Sequence, residues 1–256
     1  ESLMRMVLVV TQMEGGGSQR SAILLAREFR RLGHDVETWF LFRRRGVYDS
    51  EPMTKCLFPE DPKSPLDYIK IFSRLYSRLH QHRPDCILTF THYANVFGCM
   101  FALLAGVKIR LARQTGLPQR NPMFAKILDF IFGTIGVYTA NFANSKTTFE
   151  AFARYPSAYR RRMKTVFNGV EIVKSSGNRE KVKDRLGLAE GGYVILAVGR
   201  LHAPKNYALL MKAVARIPDV NLIIAGGGAE RENLDRLITR LQLENRVRLL
   251  GDLPPN

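Results

Sequence analysis

Short apolar runs alternate with longer segments of helical period through most of the chain. The predicted strands of the first part are 6–10, 36–41, 86–90, 109–112 and a strand near 137–142. The predicted helices between them are 18–32, 65–82, 94–105 and 123–134. Strands that are apolar on both faces and separated by helices are typical of a parallel sheet covered by helices on both sides. The pattern therefore predicts an α/β fold with a doubly wound parallel sheet.

The pattern is interrupted near residue 170 and then starts again. Residues 167–170 predict a strand end with a turn, and residues 174–178 have the composition of a linker. Three further strands are predicted at 193–198, 221–225 and 247–250, with helices at 204–217 and 229–243. We expect a first domain over 1–172, a linker with the start of the second domain over 173–190, and the first half of a second domain over 191–256.

The second domain is expected to be incomplete. A doubly wound sheet commonly has about five or six strands, and only three are predicted after the linker. We therefore expect either that the gene product continues past Asn256 or that this chain is a fragment.

The composition is that of a folded rather than an intrinsically disordered chain, and the chain is strongly basic. The 256 residues are 46% hydrophobic and 24% charged, and the net charge is +16. Most of the excess lies before Ile172, where 25 basic residues accompany 14 acidic ones. An anionic partner is expected, and charge alone does not distinguish nucleic acid, a phosphorylated ligand or an anionic membrane.

Cysteine usage and the uncharged segments bear on the compartment. Three cysteines without a C-x-x-C pair predict no disulfide framework and fit a reducing compartment. The stretch 86–107 has no charged side chain, but it contains two threonines, His92 and Asn95 in its first half. We interpret it as a buried strand and a helix rather than a membrane span. Because the apolar run at 6–10 is too short for a signal peptide, we predict a cytoplasmic protein.

A glycine-rich turn follows the first predicted strand. Gly15, Gly16 and Gly17 precede the first helix, so unpaired backbone N–H groups and the positive end of the helix dipole lie at the carboxyl end of the strand. That position suits an anion. The dinucleotide-binding fingerprint is excluded, because Arg20 stands where its third glycine is required. A tight turn without a ligand is the alternative.

A histidine follows the strand predicted at 86–90. His92 would lie at the carboxyl end of a buried strand, where ligands gather in open α/β sheets. An imidazole can hydrogen-bond a sugar hydroxyl or a phosphate, and it titrates near neutral pH. A histidine that only caps the next helix is the alternative interpretation.

Two cations follow the first strand of the second domain. Gly199 ends that strand, and Arg200 and Lys205 share the loop after it. The planar fork of Arg and the mobile charge of Lys together suit two neighbouring phosphate groups, and two solvated loop cations are the alternative. A second glycine run at 226–228 opens a helix whose first turn carries Glu230, which repels an anion. We interpret that turn as structural.

The segment 123–132 is apolar with few charges and is preceded by Arg113 and Arg120. Such a helix could lie in a membrane interface. A buried helix of the first domain is the interpretation that we favour.

Taken in chain order, these motifs resemble the retaining GT-B glycosyltransferases of family four. The likeness covers nearly the whole chain and rests on these segments: 15–17 with Arg20, 33–36, His92, 167–171, 198–200 with Lys205, 224–228 and 247–251. It implies a GT-B fold, with two Rossmann-like domains of which the second is incomplete here. It also implies a hexosyltransferase that moves a sugar from a UDP-, GDP- or ADP-sugar to an acceptor hydroxyl with retention and without a cofactor.

The resemblance implies roles for individual residues. Arg200 and Lys205 match the family's cations that bind the diphosphate of the donor, and His92 matches the histidine that contacts the transferred sugar. Gly16 and Gly17 match the glycine loop that lies against the donor. His92, Arg200 and Lys205 are therefore the predicted catalytic residues.

The first domain is expected to bind the acceptor, a glycan or a lipid-linked molecule of bacterial envelope glycan synthesis. Arg113 and Asn95 are the candidates on the acceptor side. No metal ion is expected, because the sequence has no Asp-x-Asp pair and no His/Asp cluster with metal-ligand spacing. Nucleic acid is not expected either, because the basic residues lack interleaved aromatics. A basic first domain does fit peripheral docking on the anionic inner face of the cell membrane.

The sequence departs from the family pattern at three places. The two glutamates that hold the donor's sugar and ribose would lie beyond Asn256, Asn206 stands where the family most often has Gly, and Gln19 stands where it often has Glu. Without the closing segment, the 256-residue chain is expected to be inactive. A nucleotide-sugar epimerase of the same fold and a non-catalytic basic domain that binds anionic lipid are the competing hypotheses.

Overall fold

The computed structural model describes residues 3–170 and 192–253, together with the isolated positions 172, 177, 181 and 186. The chain divides into two compact units, Glu1–Glu171 and Ile172–Asn256. Most of the predicted linker at 173–190 lies outside the described residues.

The first unit contains a parallel sheet with helices. Its strands are β1 Arg5–Met13, β2 Asp35–Arg43, β3 Thr54–Cys56, β4 Cys86–Phe90, β5 Ile109–Gln114, β6 Ala140–Ala143 and β7 Met163–Thr165. Its helices are α1 Gly17–Arg31, α2 Pro65–His82, α3 Cys99–Leu104, α4 Met123–Ile135, α5 Lys146–Glu150 and α6 Ser157–Arg160. A π-helical turn, Ala94–Gly98, precedes α3, and a 3-10 turn, Pro118–Arg120, precedes α4.

The strand order is β3-β2-β1-β4-β5-β6-β7, and every pairing is parallel. The chain moves outward from β1 toward β3 and then returns to place β4 on the other side of β1. Ligand crevices of open α/β sheets lie at the carboxyl ends of the strands, beside such a reversal. The predicted α/β doubly wound parallel sheet is confirmed.

The period-2 alternation of β1 supplies apolar residues to two separate cores. Val7 and Val9 belong to a core that includes Leu75 of α2. Leu8 belongs to a second core that includes Ala22 of α1. Because both faces of the central strand are covered, its sequence is apolar at consecutive positions.

Helix α2 begins with a complete capping box. The Ser64 hydroxyl accepts a hydrogen bond from the Asp67 backbone N–H at 3.3 Å, and the Asp67 carboxylate accepts one from the Ser64 N–H at 3.1 Å. Pro65 occupies the first helical position, where its missing N–H has no consequence. These local signals fix the start of α2 next to the cleft described below.

The second unit has a smaller sheet. Its described strands are β8 Tyr193–Val198, β9 Val220–Ala225 and β10 Val247–Gly251, which pair in parallel in the order β10-β9-β8. Its helices are α7 Tyr207–Ala215 and α8 Arg231–Arg240, with a 3-10 turn, Ala203–Lys205, before α7. Leu222 and Ile224 of β9 form its core with Met211 of α7 and Leu234 of α8.

Several predicted elements have different bounds. The helix predicted at 94–105 begins as the π-helical turn, and the helix predicted at 204–217 is a 3-10 turn followed by α7. The strand predicted near 137–142 runs over Ala140–Ala143, because left-handed Gly136 ends α4 and residues 137–139 form the connection to the strand. The three-residue strand β3 was not predicted, since three residues are too few to show an alternating pattern. The strand end predicted at 167–170 lies just after β7, which ends at Thr165.

Candidate active site

The first unit carries a cleft of about 1120 Å³ at the carboxyl ends of its central strands. Strand ends contribute Gln12 and Phe42, and the segment after β4 contributes His92. The starts of α2 and α4 contribute Tyr68 and Phe124. The cleft therefore lies where the topology of a doubly wound sheet places a ligand.

Aromatic side chains form much of the wall of this cleft. The rings of Phe72 and Phe97 lie 4.4 Å apart, and Phe97 also stacks with Tyr93 at 6.4 Å. Arg44 lines the cleft, but Asp61 accepts its hydrogen bond at 2.8 Å. The cleft thus has a partly aromatic wall and a paired charge, which suits a sugar ring or a hydrocarbon chain.

His92 is half-buried in this cleft, on the segment that joins β4 to the π-helical turn. Its ring lies 4.2 Å from the ring of Tyr93. Its Nε2 atom is buried and has no hydrogen-bond partner among the residues that the structure describes. Burial lowers the pKa of the imidazole, so the ring is neutral at neutral pH. A neutral imidazole with an unused nitrogen can hydrogen-bond a ligand hydroxyl.

The residue before His92 has an unusual backbone. Thr91 has a φ of 74°, a conformation that β-branched residues rarely adopt. Its hydroxyl lies 2.5 Å from the Thr11 hydroxyl at the end of β1. Sequence reasoning missed both threonines, because neither a positive φ nor a contact across 80 residues leaves a local pattern in the sequence.

The glycine turn after β1 leaves the first turn of α1 without a side-chain cap. Gly16 is the N-cap residue with an extended backbone, and it makes no side-chain hydrogen bond to cap the helix. The Gln19 side chain is buried and donates instead to the Gln12 carbonyl at 3.1 Å. A Cβ at Gly17 would meet no atom within 4 Å. Gly17 thus offers open space beside the helix N-terminus, whereas a Cβ at Gly16 would come within 2.5 Å of the Gln19 amide oxygen. Donor contact at Gly16 and Gly17 stays a prediction.

Asn95 and Arg113 lie beneath the surface. Asn95 is fully buried, where its amide donates to the Arg113 carbonyl at 3.0 Å and accepts from the Thr89 hydroxyl at 2.8 Å. Arg113 is also buried, and its guanidinium donates to the Asn168 side chain at 2.5 Å. Both side chains are buried, and the acceptor-side assignment of Asn95 and Arg113 stays a prediction. Both residues fasten neighbouring segments of the first unit to one another.

The second unit holds the predicted cation loop through backbone contacts. The Gly199 N–H donates to the Ala225 carbonyl at 2.9 Å, and the Leu201 N–H donates to the Gly227 carbonyl at 2.8 Å. Arg200 lies between these two bonds, and its side chain is exposed. Lys205, also exposed, ends the 3-10 turn that follows. The loop thus has a fixed backbone and two accessible cations.

Asn206 explains one departure from the family pattern. Its φ is 50° and its ψ is 43°, which is the left-handed conformation. Glycine adopts this conformation freely, and asparagine is among the residues that tolerate it best. Asn206 can therefore replace the usual glycine without changing the path of the chain after Lys205.

The second glycine run has contacts within its own unit. The Gly227 N–H donates to the Asp252 carboxylate at 2.6 Å. A Cβ at Gly228, which has a φ of 155°, would come within 2.4 Å of the Leu201 carbonyl oxygen. Close packing thus accounts for the small residues at these two positions.

Candidate metal ligands and thiols are sparse in the part of the chain that the structure describes. No group of three or more His, Cys, Asp or Glu side chains is placed there to hold a metal ion. The cysteines are free, and burial raises the pKa of Cys86 and of Cys99 to about 12. These thiols are packing residues rather than nucleophiles.

Helix α4 is not the buried helix that the sequence favoured. Its inward residues are Ala125, Asp129 and Gly133, and large apolar side chains on it are exposed. These are Met123, Phe124, Ile127, Phe130, Ile131 and Ile135. The expectation is wrong because Tyr159 packs against Gly133 and donates to Asp129 at 2.8 Å, so the small and polar face turns inward. Among the described helices, none has both the length and the apolar character needed to cross a membrane.

Family models match both units of the chain. The family described as Glycosyltransferase Family 4 matches residues 15–174, and the family described as Glycosyl transferases group 1 matches residues 178–256. An uncharacterized glycosyltransferase of Methanocaldococcus jannaschii is 26% identical over 231 residues, which cover 81% of this chain and 55% of that protein. A Campylobacter jejuni N-acetylgalactosamine-N,N'-diacetylbacillosaminyl-diphospho-undecaprenol 4-alpha-N-acetylgalactosaminyltransferase is 34% identical over 109 residues, covering 42% of this chain and 28% of that protein.

A solved structure shows the same fold. The crystal structure of Anabaena HepE in complex with UDP and glucose aligns with a TM-score of 0.81 at 20% identity, covering 98% of this chain and 70% of that one. The two α/β units are those of the GT-B fold, and the described sheet of the second unit has three strands. The chain spans about half the length, or less, of the curated relatives described above.

Proposed function

This chain belongs to glycosyltransferase family 4, and from that premise we propose that its protein transfers a sugar from a nucleoside-diphosphate sugar to an acceptor hydroxyl. The observation that carries the proposal is the loop with Arg200 and Lys205, which glycine packing holds in place with both side chains exposed. The HepE structure, which contains UDP and glucose in the same fold, supports a nucleotide-sugar as donor.

The chemistry of the leaving group explains why two cations are needed. Negative charge builds up on the β-phosphate as the bond to the sugar breaks. A guanidinium fork at Arg200 and an ammonium at Lys205 stabilise that charge more in the transition state than in the ground state. In this proposal the side-chain cations do the work that a divalent metal does in other transferases, so the reaction proceeds without one.

His92 has a different role in the proposal. Its unused Nε2 nitrogen hydrogen-bonds a hydroxyl of the transferred sugar while the neutral ring adds no charge to the cleft. The acceptor hydroxyl attacks on the face that the nucleotide leaves, which retains the configuration of the sugar. The aromatic wall of the cleft, including Phe72 and Phe97, supports an acceptor with an apolar or sugar surface.

Transfer assays on the full-length protein test the proposal. Arg200→Ala and Lys205→Ala are each expected to abolish turnover, whereas Arg216→Ala and Lys212→Ala, which remove other exposed cations of the second unit, leave it unchanged. Activity within about twofold of wild type for both loop variants would remove the assignment. Conversion of the donor to its epimer in the absence of acceptor would instead indicate an epimerase.

We extend the proposal to an envelope acceptor met at an anionic membrane. Support comes from the exposed apolar residues of α4, the positive charge of the first unit and the Campylobacter jejuni relative, which is named for a diphospho-undecaprenol substrate. An apolar helix face next to basic residues binds anionic bilayers through both burial and charge. In this proposal the protein acts at the inner face of the cell membrane.

Flotation with liposomes tests membrane docking. The full-length protein is expected to float with vesicles containing phosphatidylglycerol, less so at high salt, and not with neutral vesicles. The double variant Phe124→Ser/Ile127→Ser should lose flotation, and Leu32→Ser, an exposed leucine at the end of α1, should keep it. Absence of salt-sensitive flotation in the wild type would overturn this part of the proposal.

A further inference from the structure

The Thr11 hydroxyl contacts the chain on both sides of His92. It lies 2.5 Å from the Thr91 hydroxyl, and it accepts a hydrogen bond from the Ala94 backbone N–H at 3.2 Å. Residues 91 and 94 bracket His92 and Tyr93, so one side chain at the end of β1 holds the segment after β4 at two points. Thr11 is buried, which protects both contacts from water.

These contacts form a continuous chain of hydrogen bonds. The Thr91 hydroxyl also donates to the Phe90 carbonyl, so its oxygen remains as an acceptor for the Thr11 hydroxyl. Thr11 in turn accepts from the Ala94 N–H. Each hydroxyl therefore has one donor and one acceptor partner, which is the arrangement that a buried hydroxyl requires.

The backbone of Thr91 needs such support. Its φ of 74° places a β-branched residue in the left-handed region, a strained conformation that persists only where the surroundings hold it. The positive φ turns the chain sharply after β4 and brings the next side chain, His92, into the cleft. The π-helical turn Ala94–Gly98 begins just beyond, and such turns are frequent at functional sites.

We propose that the Thr11–Thr91 hydroxyl pair positions His92 for its contact with the transferred sugar, an inference that rests on the function proposed above. Thr11 and Thr91 are positioning residues, since the proposal gives them no contact with the reacting atoms. The pair joins the carboxyl ends of β1 and β4, the two strands that flank the reversal in the sheet. A fixed imidazole matters because a misplacement of about 1 Å in a site can reduce the rate about 100-fold.

The test follows the His92 imidazole by nuclear magnetic resonance in protein labelled with ¹⁵N-histidine, without donor or acceptor. The signals are assigned with His92→Gln. Thr11→Val removes the hydroxyl and keeps the shape of the side chain, whereas Thr11→Ser keeps the hydroxyl. Thr38→Val is the matched control, because Thr38 is buried on neighbouring β2 and its hydroxyl has no hydrogen-bond partner among the described residues.

The expected result is a change at His92 in Thr11→Val alone. Its imidazole signals should broaden or split, and its pKa should rise toward the ordinary value of about 6.5 as the ring moves toward water. Thr11→Ser and Thr38→Val should match the wild type. In transfer assays on the full-length protein, Thr11→Val should lower kcat by about 10- to 100-fold with little change in the KM for the donor.

Two results would overturn the proposal. One is a Thr11→Val protein whose His92 signals and pKa match the wild type, and the other is an equal change in Thr38→Val. If Thr11→Val does not fold, Thr91→Val removes the same contact between the two hydroxyls. It is expected to change the His92 signals and pKa in the same way, and unchanged values would overturn the proposal. Because the imidazole is observed without substrates, failure here is distinct from failure of the transferase assignment, which the Arg200 and Lys205 variants test.

Discussion

Gly226 and Gly199 lie so close together that a Cβ added to Gly226 would come within 2.1 Å of the Gly199 carbonyl oxygen. The contact belongs to a pair of extended segments, 199–201 and 225–227, joined by backbone hydrogen bonds. The backbone at Arg200 can therefore pack against the loop at 226–228 only because Gly226 has no side chain. The glycine run at 226–228 supports the proposed donor site even where it does not contact a ligand.

Gly226→Ala is expected to destabilise the second unit. The new methyl group would strike backbone atoms that cannot rotate away, and the φ of 143° is also unfavourable for alanine. We expect the free energy of unfolding to fall by about 1–3 kcal/mol in guanidinium titrations. Gly169→Ala, where a Cβ meets no atom within 4 Å, is the control and should change little. Equal stability of the two variants would contradict the packing argument.

Asp129 is expected to be the most sensitive polar residue of α4. Its buried carboxylate accepts hydrogen bonds from Gln114 at 3.0 Å, Tyr138 at 3.1 Å and Tyr159 at 2.8 Å. Asp129→Ala would leave three buried donors without their acceptor, so the free energy of unfolding should fall by about 3 kcal/mol or more. Denaturant unfolding measures it.

The control for Asp129 is an aspartate on another helix. Asp235 pairs with Arg231 four residues earlier, and its side chain is half exposed. Asp235→Ala should change the free energy of unfolding by less than about 0.5 kcal/mol. Similar losses at the two positions would show that the buried network contributes no more than a surface pair.

The pH dependence of stability should contain a contribution from His92. Burial lowers the pKa of its imidazole in the folded protein, while the unfolded chain titrates near about 6.5. As the pH falls below that value, the unfolded state binds the proton first. The free energy of unfolding therefore decreases until the pH passes the folded pKa, below which the loss is complete.

Chemical denaturation across a pH series measures this contribution. His92→Gln should flatten the dependence below a pH of about 6.5. An unaltered slope in His92→Gln would contradict the burial of this ring.

Substitution by valine should change the free energy of unfolding differently at two buried threonines. The Thr89 hydroxyl donates to Asn95 at 2.8 Å, whereas the Thr38 hydroxyl has no hydrogen-bond partner among the described residues. Thr89→Val should lower the free energy of unfolding by about 1–2 kcal/mol, and Thr38→Val should leave it unchanged or raise it. Thermal and denaturant unfolding of both variants checks the difference. A larger loss for Thr38→Val would show that its hydroxyl is satisfied in solution.

Local sequence patterns predict the fold and the general position of the site. Apolar runs predict most strands of the first unit, and segments of helical period predict its longer helices. Gly199, followed by two cations, predicts the loop of Arg200 and Lys205 after β8. The roles of individual buried side chains are different, because they depend on contacts between distant segments. From its position after β4, the sequence predicts that Asn95 lies near a ligand. Only the fold shows that its amide is hydrogen-bonded to the Thr89 hydroxyl and the Arg113 carbonyl.

Helix α4 shows a second limit of sequence patterns. Its apolar residues are numerous enough to predict burial, yet the inward face is chosen by Gly133 and Asp129, which fit against Tyr159. A hydrophobic pattern indicates which residues avoid water. It does not indicate whether the protein core, a membrane or a partner covers them.

The most direct test of the account is calorimetric titration of the full-length protein with UDP, GDP and ADP in the presence of a chelator. One of these diphosphates is expected to bind, and Arg200→Ala and Lys205→Ala should each weaken that binding by about 10- to 100-fold. Arg216→Ala and Lys212→Ala, which remove exposed cations elsewhere in the second unit, should bind as the wild type does. Absence of binding, or equal affinity in all four variants, would contradict the assignment of this loop as the diphosphate site.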